Sequence, residues 1–369
     1  MKYYIIAGEA SGDLHGSNLI KELLNLDPNG EVRAWGGEKM QSAGAVVVKD
    51  YRDLAFMGFA EVVKNLPTIF KNLKFCKEDI LQYKPDVLIL IDYPGFNLRI
   101  AKWARQAGLK IVFYISPQVW AWKESRVKAM KRDIDKMLVI LPFEHNFFRK
   151  WDYEVEYVGH PLVEVINREQ LKDIEHLSSR PIIALLPGSR EQEIKRKLPV
   201  MLETAAHFPG YDFIVARAPG LPDNYYDVFM APYKNVKAVI NDTYNLLKQA
   251  KAALVTSGTA TLETALFGVP EVVCYKAGKV SYEIGKRLIS IKYISLVNLI
   301  MDKLVVKELI QDEFNTSNLV VELNRLLTDG SSISKMQEDY KKLKELLSKG
   351  GNASANAARS IMEFLTEAV

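Results

Sequence analysis

The stretch Ala252-Ala-Leu-Val-Thr-Ser-Gly-Thr-Ala-Thr-Leu-Glu-Thr-Ala-Leu-Phe-Gly-Val-Pro270 reads as a buried strand, a tight turn, a short helix and the start of another strand. Its first four residues form an apolar run typical of a parallel strand that is covered on both faces. In the turn, Ser257 or Thr259 can cap the helix, and Gly258 lets backbone approach a ligand. Because free amides and the positive end of the helix dipole favour anions, the stretch predicts a diphosphate site in an α/β fold.

Glu263 lies in the same first turn, and the sequence allows two interpretations of it. Its carboxylate can accept hydrogen bonds from the two hydroxyls of a ribose whose phosphates rest on the helix end. Alternatively, Glu263 only completes a capping box and complements the helix dipole. The turn alone favours the second interpretation, since such turns are common in α/β proteins.

Length and composition indicate a globular protein of two domains. The chain has 369 residues, of which 48% are hydrophobic and 25% charged, with a formal net charge of +4. This charge is too small to indicate nucleic acid as a partner but suits phosphate-bearing ligands or an anionic bilayer. Cys76 and Cys274 lack metal-ligand spacing and indicate reduced thiols in a cytoplasm. No apolar run reaches the ~18 residues of a membrane span.

The N-terminal half opens as a doubly wound fold does. A strand over Tyr3 to Ala7 precedes the glycine-rich turn Gly8-Glu-Ala-Ser-Gly-Asp-Leu-His-Gly16 and a helix to about Leu26. The turn departs from the dinucleotide fingerprint, which disfavours an oxidoreductase. Ser11 and Gly12 are candidates to meet a substrate at the helix N-terminus, with Asp13 or His15 as polar site residues. In the alternative interpretation Ser11 and Asp13 are caps and His15 is a surface residue, which we favour for His15.

Asp92 is the candidate general base. It follows the clearest buried strand of the chain, Asp86 to Ile91, and ligands of open α/β sheets bind outside such carboxyl ends. The alternative, that Asp92 caps the helix starting near Phe96, is weakened because Asn97 or the Pro-Gly turn can serve that need. A following strand, Ile111 to Ile115, leads to Trp120 and Trp122, which either form an apolar wall for a ligand or fill the core.

Strand patterns restart at Pro181 to Leu186, which places a domain boundary near residue 165. We therefore predict domains over 1–165 and 166–344, with a C-terminal helix at about 345–369 that packs back on the first. The restarting strand ends in Pro187-Gly-Ser-Arg-Glu-Gln-Glu193, a glycine turn in which Gly188 and Ser189 precede Arg190. The planar fork of Arg190 is suited to clamping phosphate oxygens.

Two further segments were candidates for membrane or metal contact. Leu54 to Phe75 concentrates Phe56, Met57, Phe59 and Phe70 among lysines, which suits an amphipathic surface for lipids or, equally, a helix packed on a sheet with solvated lysines. Asp133 and Asp135 stand among lysines and arginines, which favours local ion pairs over a metal site.

Five strings, in order along essentially the whole chain, resemble the lipid-A-disaccharide synthase family. They are Gly8-Glu-Ala-Ser-Gly-Asp13, Ile115-Ser-Pro-Gln-Val-Trp-Ala-Trp122, Leu186-Pro-Gly-Ser-Arg190, Ser257-Gly-Thr-Ala-Thr-Leu-Glu263 and Ile294-Ser-Leu-Val-Asn298. The resemblance implies two Rossmann-like doubly wound domains facing a central cleft, the B-type glycosyltransferase architecture. The N-terminal domain would bind the acceptor and lipid, and the C-terminal domain the UDP-sugar.

The resemblance also implies chemistry. The family joins UDP-2,3-diacylglucosamine to 2,3-diacylglucosamine 1-phosphate with inversion and releases UDP, without a cofactor or required metal. Its proposed base falls on Asp92, its diphosphate-binding arginine on Arg190, its nucleotide-binding residues on Ser257 to Thr259 and Glu263, and its functional asparagine on Asn298. Some members carry a second acidic residue where Gly95 stands, so Asp92 is the sole acidic candidate in this loop.

The expected setting is the cytoplasmic face of the inner membrane, with peripheral attachment to an anionic surface and a homodimer compatible with the resemblance. Two other functions stay open at this point. A UDP-N-acetylglucosamine 2-epimerase would share the architecture but have no need of the lysine-studded segment. A non-catalytic lipid-binding protein would need that segment and have no use for Asp92, Arg190 and Glu263.

Overall fold

The computed structural model describes residues 1–54, 66–218, 221–222, 224–278, 282–283, 286 and 291–366. It divides into a first unit, Met1–Pro161 with Ser348–Val369, and a second unit, Leu162–Leu347. Each unit contains one parallel sheet with helices in its crossovers. This is the two-domain α/β class that the sequence predicts.

The first unit is built on seven described strands, all paired in parallel. The strands are β1 Lys2–Ala7, β2 Glu31–Gly36, β3 Val46–Asp50, β4 Val87–Ile91, β5 Ile111–Tyr114, β6 Lys136–Val139 and β7 Glu156–Tyr157. Their order in the sheet is β3-β2-β1-β4-β5-β6-β7. The central strands β1, β4 and β5 are buried nearly throughout, as their continuous apolar runs predict.

Helices cover this sheet. They are α1 Ala10–Leu26, α2 Glu38–Ser42, α3 Leu66–Tyr83, α4 Pro94–Gln106, α5 Val119–Trp122, α6 Val127–Asp133 and α7 Glu144–Arg149. In α3 the side chains of Leu73, Cys76 and Ile80 are buried in the core of the sheet. The described part of the lysine-studded segment is therefore an amphipathic helix packed on the sheet, with Lys71 and Lys74 exposed.

The second unit contains six described strands, again all parallel. They are β8 Ile182–Leu186, β9 Asp212–Arg217, β10 Val236–Ile240, β11 Ala250–Thr256, β12 Glu271–Tyr275 and β13 Lys307–Ile310, in the order β10-β9-β8-β11-β12-β13. The helices from Pro161 onwards are α8 Pro161–Gln170, α9 Glu191–Ala205, α10 Asn224–Met230, α11 Thr243–Gln249, α12 Thr259–Leu266, α13 Leu296–Met301, α14 Thr316–Thr328 and α15 Gly330–Ser348.

The C-terminal helix α16, Ala353–Thr366, returns to the first unit and packs against α1. The chain passes beside Gly159 on its way, where a Cβ on Gly350 would collide with the Gly159 Cα. Gly351 has φ +70°, a conformation that favours glycine.

None of the helices in the described part of the chain is long and apolar enough to cross a membrane.

Candidate active site

The two sheets each have one point where the strand order reverses, between β1 and β4 in the first unit and between β8 and β11 in the second. Helices leave to opposite faces at such a point and open a crevice outside the carboxyl ends of the strands, where ligands of doubly wound folds bind. Most of the predicted site residues follow these four strands. Topology therefore gives each unit one candidate site.

Asp92 directly follows β4 in the first unit and has an unusual backbone. Its φ is +44° and that of Tyr93 is +48°, two consecutive left-handed residues that are not glycine. The fully buried Asn97 holds this turn, because its Nδ2 donates to the carbonyl oxygens of Asp92, at 2.8 Å, and Ile91, at 3.2 Å. Such strained turns occur at functional sites, where the surrounding structure imposes them.

The alternative role of Asp92 as a helix cap is wrong. Helix α4 begins at Pro94, its N-cap is Tyr93, and no side chain caps it. Proline at the first helical position removes one of the amides that a cap would satisfy. The carboxylate of Asp92 is therefore not used to terminate α4.

Burial and then the negative charge of Glu9 raise the pKa of Asp92 to about 7, against a hydrogen bond from the Tyr93 backbone that lowers it. Glu9 follows β1, which pairs with β4 such that Ala7 lies opposite Ile91. Two carboxyl groups thus share the switch point of the first unit. Sequence reasoning missed Glu9, although its position in the glycine turn was a usable signal.

The predictions for the other residues of the glycine-rich turn after β1 have mixed outcomes. Ser11 is exposed on the first turn of α1, whereas Gly12 is buried, and a Cβ there would lie 3.0 Å from that of Ala7. Asp13 is a cap, but of α2: its Oδ1 accepts from the amides of Gly37, at 2.7 Å, and Met40, at 3.1 Å.

The prediction that His15 lies on the surface is wrong. Its side chain is buried on the inner face of α1. Burial, followed by the charge of Lys39, lowers the pKa of this imidazole to about 4.

In the second unit, the turn after β8 presents Arg190. Gly188 has φ +118°, and a Cβ there would collide with the side chain of Glu193. Ser189 and Arg190 are exposed, and Arg190 is the N-cap residue of α9. The guanidinium of Arg190 lies 3.8 Å from the carboxylate of Glu193. At this distance and exposure the pair is weak, so Arg190 is available to an anionic ligand.

The turn after β11 lies beside it, since β8 and β11 are neighbours with Leu186 opposite Val255. Here the expectation of a side-chain cap is wrong: α12 begins at Thr259, its N-cap is Gly258, and no side chain caps it. Ser257 Oγ instead donates to the carbonyl of Ile294, at 2.8 Å. The amides at the start of α12 are therefore left for a ligand.

Glu263 points to Tyr244, not to the helix backbone. Tyr244 Oη donates to Glu263 Oε1 at 2.6 Å, and the Tyr244 ring packs on Phe267 with centroids 5.4 Å apart. The capping-box interpretation of Glu263 is therefore wrong. Burial raises the pKa of Glu263, and the Tyr244 hydroxyl opposes that rise. The second carboxylate oxygen has no role in α12 and can accept from a ligand.

Asn298 lies on α13 with no exposed surface. Its Oδ1 accepts from the amides of Val305, at 2.7 Å, and Val306, at 3.0 Å, and its Nδ2 donates to Glu308 at 2.9 Å. Glu308 also accepts from the amide of Ser295, at 2.9 Å. Asn298 thus holds the segment at Val305 and Val306 directly. Through Glu308, it also supports the loop whose Ile294 carbonyl receives the Ser257 hydroxyl.

The remaining candidates divide between core and surface. Trp120 is buried and donates to Glu144 at 3.3 Å, whereas Trp122 is 47% exposed. Phe70 is 66% exposed on α3. The candidates Phe56, Met57 and Phe59 lie outside the described residues.

Asp133 and Asp135 form ion pairs with Arg132 and Arg105, respectively, as the surrounding charges predicted.

Comparison with known proteins identifies close relatives. A family model described as lipid-A-disaccharide synthetase matches residues 3–362. A protein of Geobacter metallireducens named lipid-A-disaccharide synthase is 41% identical over 371 residues, which cover 98% of this chain and 96% of that protein.

Among solved structures, a putative UDP-N-acetylglucosamine 2-epimerase of Listeria monocytogenes superposes with a TM-score of 0.68 at 12% identity, covering 100% of this chain and 97% of the other. The calicheamicin glycosyltransferase CalG4 gives 0.62 at 16% identity, with coverages of 100% and 99%. At these identities the likeness concerns the fold alone. It is the fold that the sequence resemblance implied.

Proposed function

The chain belongs to the lipid-A-disaccharide synthetase family, and we propose that Asp92 and Arg190 perform the two halves of its glycosyl transfer. The family makes it a glycosyltransferase of lipid A biosynthesis. The epimerase alternative shares only the fold with this chain, and the non-catalytic alternative does not fit the family. The donor in this proposal is UDP-2,3-diacylglucosamine, and the acceptor is 2,3-diacylglucosamine 1-phosphate.

The observation that carries the proposal is a carboxyl group with a pKa of about 7 at the switch point of the first unit. A general base is most effective when its pKa lies near the working pH. Asp92 accepts the proton of the acceptor 6-hydroxyl while that oxygen attacks the anomeric carbon of the donor. The attack from the face opposite the diphosphate inverts this carbon and gives a β-1,6 linkage.

The leaving group is stabilised in the second unit. As the bond from the anomeric carbon to the diphosphate oxygen breaks, negative charge builds on UDP. Arg190 and the uncapped amides of Gly258 and Thr259 neutralise that charge, because the amides are fixed by the turn before the reaction and the Arg190 guanidinium is only weakly paired with Glu193. Gly188 and Ser189 supply the turn that admits the diphosphate.

Glu263 binds the ribose in this proposal. Tyr244 holds one carboxylate oxygen, which orients the other towards the ribose hydroxyls. Ser257 and Asn298 act by positioning, because their hydrogen bonds fix the loop beside the nucleotide. Ser11, exposed at the start of α1, contacts the acceptor, and Gly12 allows α1 to lie close to β1.

We place the reaction at the cytoplasmic face of the inner membrane, where acylated substrates reside. Helix α3 supports a peripheral contact: Phe70 is 66% exposed, and exposed Lys71 and Lys74 flank it, opposite the buried Leu73. An apolar side chain among lysines suits the boundary between acyl chains and anionic headgroups. Phe56, Met57 and Phe59 extend the same proposal along the chain.

One assay tests the function. UDP release is measured with the acylated donor, with and without the acylated acceptor, and the lipid product is identified by mass spectrometry. The proposal predicts release that requires the acceptor and yields a disaccharide 1-phosphate. Epimerisation of a soluble UDP-sugar, or binding of acylated sugars without UDP release, would contradict it.

A further inference from the structure

Two cations, Lys123 and Arg126, lie over the Trp122 ring in the first unit, and the charge of Arg99 acts on Arg126; we call these four residues the basic cluster. The guanidinium of Arg126 lies over the Trp122 ring, 4.8 Å from its centroid, and the Lys123 ammonium lies 5.8 Å from it. Arg99 donates to the carbonyl of Gly95 in the first turn of α4. Helices α4 and α6 pack together and bring Arg99 towards Arg126.

Among the described residues, the positive charges of the cluster have no carboxylate in ion-pair contact. Nearby arginines differ, because Arg105 pairs with Asp135 and Arg132 with Asp133. Partial burial, followed by the charge of Arg99, lowers the pKa of Arg126. Like charges held together and partly desolvated weaken a fold, so the arrangement favours an anionic ligand.

The cluster lies at the same edge of the sheet as the proposed base, Asp92. Arg126 and Trp122 follow β5, and Arg99 lies on the helix that follows Asp92 and β4. Since β4 and β5 are neighbours, with Ile91 opposite Tyr114, the cluster and the base leave the same edge of the sheet. Burial and then the charge of Glu9 raise the pKa of Tyr93, and the charge of Arg99 acts on the same phenol and opposes this rise, which places Arg99 near the turn that carries Asp92.

Resting on the proposed function, we infer that the basic cluster binds the phosphate monoester of the acceptor sugar. In that sugar the phosphate and the reacting 6-hydroxyl are separated by one pyranose ring, so a group that binds the phosphate must lie beside the base. The cluster meets this requirement within the first unit. No residue of the second unit is needed.

The chemistry of the cluster suits a phosphate monoester. The stacked Arg126 has a fixed plane, and a planar guanidinium can donate two parallel hydrogen bonds to phosphate oxygens. Arg99 and Lys123 supply the charge to balance a second negative charge. The exposed face of Trp122 can pack on the sugar ring that carries the phosphate.

The test compares two soluble short-chain acceptors, 2,3-diacylglucosamine 1-phosphate and the same sugar without phosphate, in the UDP-release assay. For Arg126→Ala the acceptor KM should rise about 10- to 100-fold with the phosphorylated acceptor, the loss expected for hydrogen bonds to a charged group. The wild-type KM should rise by a similar factor when the acceptor lacks the phosphate, and Arg126→Ala should distinguish the two acceptors less than the wild type does.

Lys128→Ala is the matched control, because Lys128 is exposed on α6 and its replacement removes one positive charge outside the cluster. It should keep the wild-type KM. An unchanged melting temperature and circular-dichroism spectrum show that a variant is folded. Should Arg126→Ala fail to fold, Arg99→Ala and Arg126→Lys replace it, and each should also raise the KM for the phosphorylated acceptor alone.

Three results would overturn the inference. The first is an Arg126→Ala variant whose KM for the phosphorylated acceptor equals that of the wild type. The second is an Arg126→Ala variant whose KM rises equally for both acceptors. The third is weaker binding to phosphatidylglycerol vesicles with an unchanged KM, which would make the cluster a headgroup site. A wild-type protein without acceptor-dependent UDP release would instead refute the proposed function, so the two failures are distinguishable.

Discussion

Tyr244→Phe removes one hydroxyl from the second unit and tests whether Glu263 binds the nucleotide. The lost hydrogen bond is short, 2.6 Å, and ends on a carboxylate, a type that contributes ~1.5 to 3 kcal/mol. Burial already raises the pKa of Glu263, and the Tyr244 hydroxyl opposes this rise. Without the hydroxyl the pKa rises further, so more of the carboxyl is protonated and poorly placed for the ribose.

We therefore expect UDP to bind Tyr244→Phe about 10-fold more weakly, a loss of ~1.4 kcal/mol. The loss should grow as the pH falls, because protonation of Glu263 increases. Calorimetric titration with UDP measures both effects. Glu263→Gln should lose ~1 to 3 kcal/mol, and the double variant should lose less than the sum of the two, since both act on one carboxylate.

Tyr340→Phe is the control for stability. Tyr340 is buried on α15 in the same unit, beside Glu271, and is not part of the proposed site. Both tyrosine variants should lower the melting temperature, and only Tyr244→Phe should change UDP affinity. Wild-type UDP affinity in Tyr244→Phe and Glu263→Gln, with lower melting temperatures, would refute the reasoning and make the pair purely structural.

The remaining predictions concern the leaving group and the membrane. Arg190→Ala should weaken UDP binding and reduce turnover by a larger factor, ~100-fold or more, because the arginine acts most strongly as charge builds on UDP. Arg190→Lys should restore little of either. An Arg190→Ala variant that binds UDP as tightly as wild type in calorimetry would show that another residue binds the diphosphate. Phe70→Ser should reduce sedimentation with anionic vesicles and activity on long-chain substrates, while UDP affinity and melting temperature stay unchanged because the side chain is exposed. Vesicle binding equal to that of wild type would move the membrane contact away from α3.

Much of the fold could be predicted because its central strands are continuous apolar runs. Val87–Ile91 and Ile182–Leu186 are buried at every position, and their predicted bounds differ by one residue. Strand Lys307–Ile310 was missed because its four residues, two charged and then two apolar, form neither an apolar run nor an alternating pattern. Its place is set by pairing with Glu271–Tyr275. Val46–Asp50 was missed although three consecutive valines gave a signal for it.

The site was harder to predict where a side chain acts on a distant segment. The sequence indicates that Glu263 interacts with the N-terminus of its own helix, whereas in the structure it accepts a hydrogen bond from Tyr244, nineteen residues earlier. Asp13 caps a helix beyond the next strand, and Asn298 donates to Glu308, which lies on the strand that follows its own helix. His15 is buried because the whole of its helix face is covered, which the spacing of one histidine cannot reveal.

The role of Asp92 is tested most directly by turnover as a function of pH for wild type and Asp92→Asn at saturating donor and acceptor. The base must be deprotonated to act, and its pKa is about 7, so wild-type turnover should fall as the pH drops below 7. Asp92→Asn should be ~100- to 10,000-fold slower, without that acid limb and with unchanged UDP affinity. An Asp92→Asn variant that turns over near the wild-type rate and keeps the acid limb would contradict the proposed mechanism.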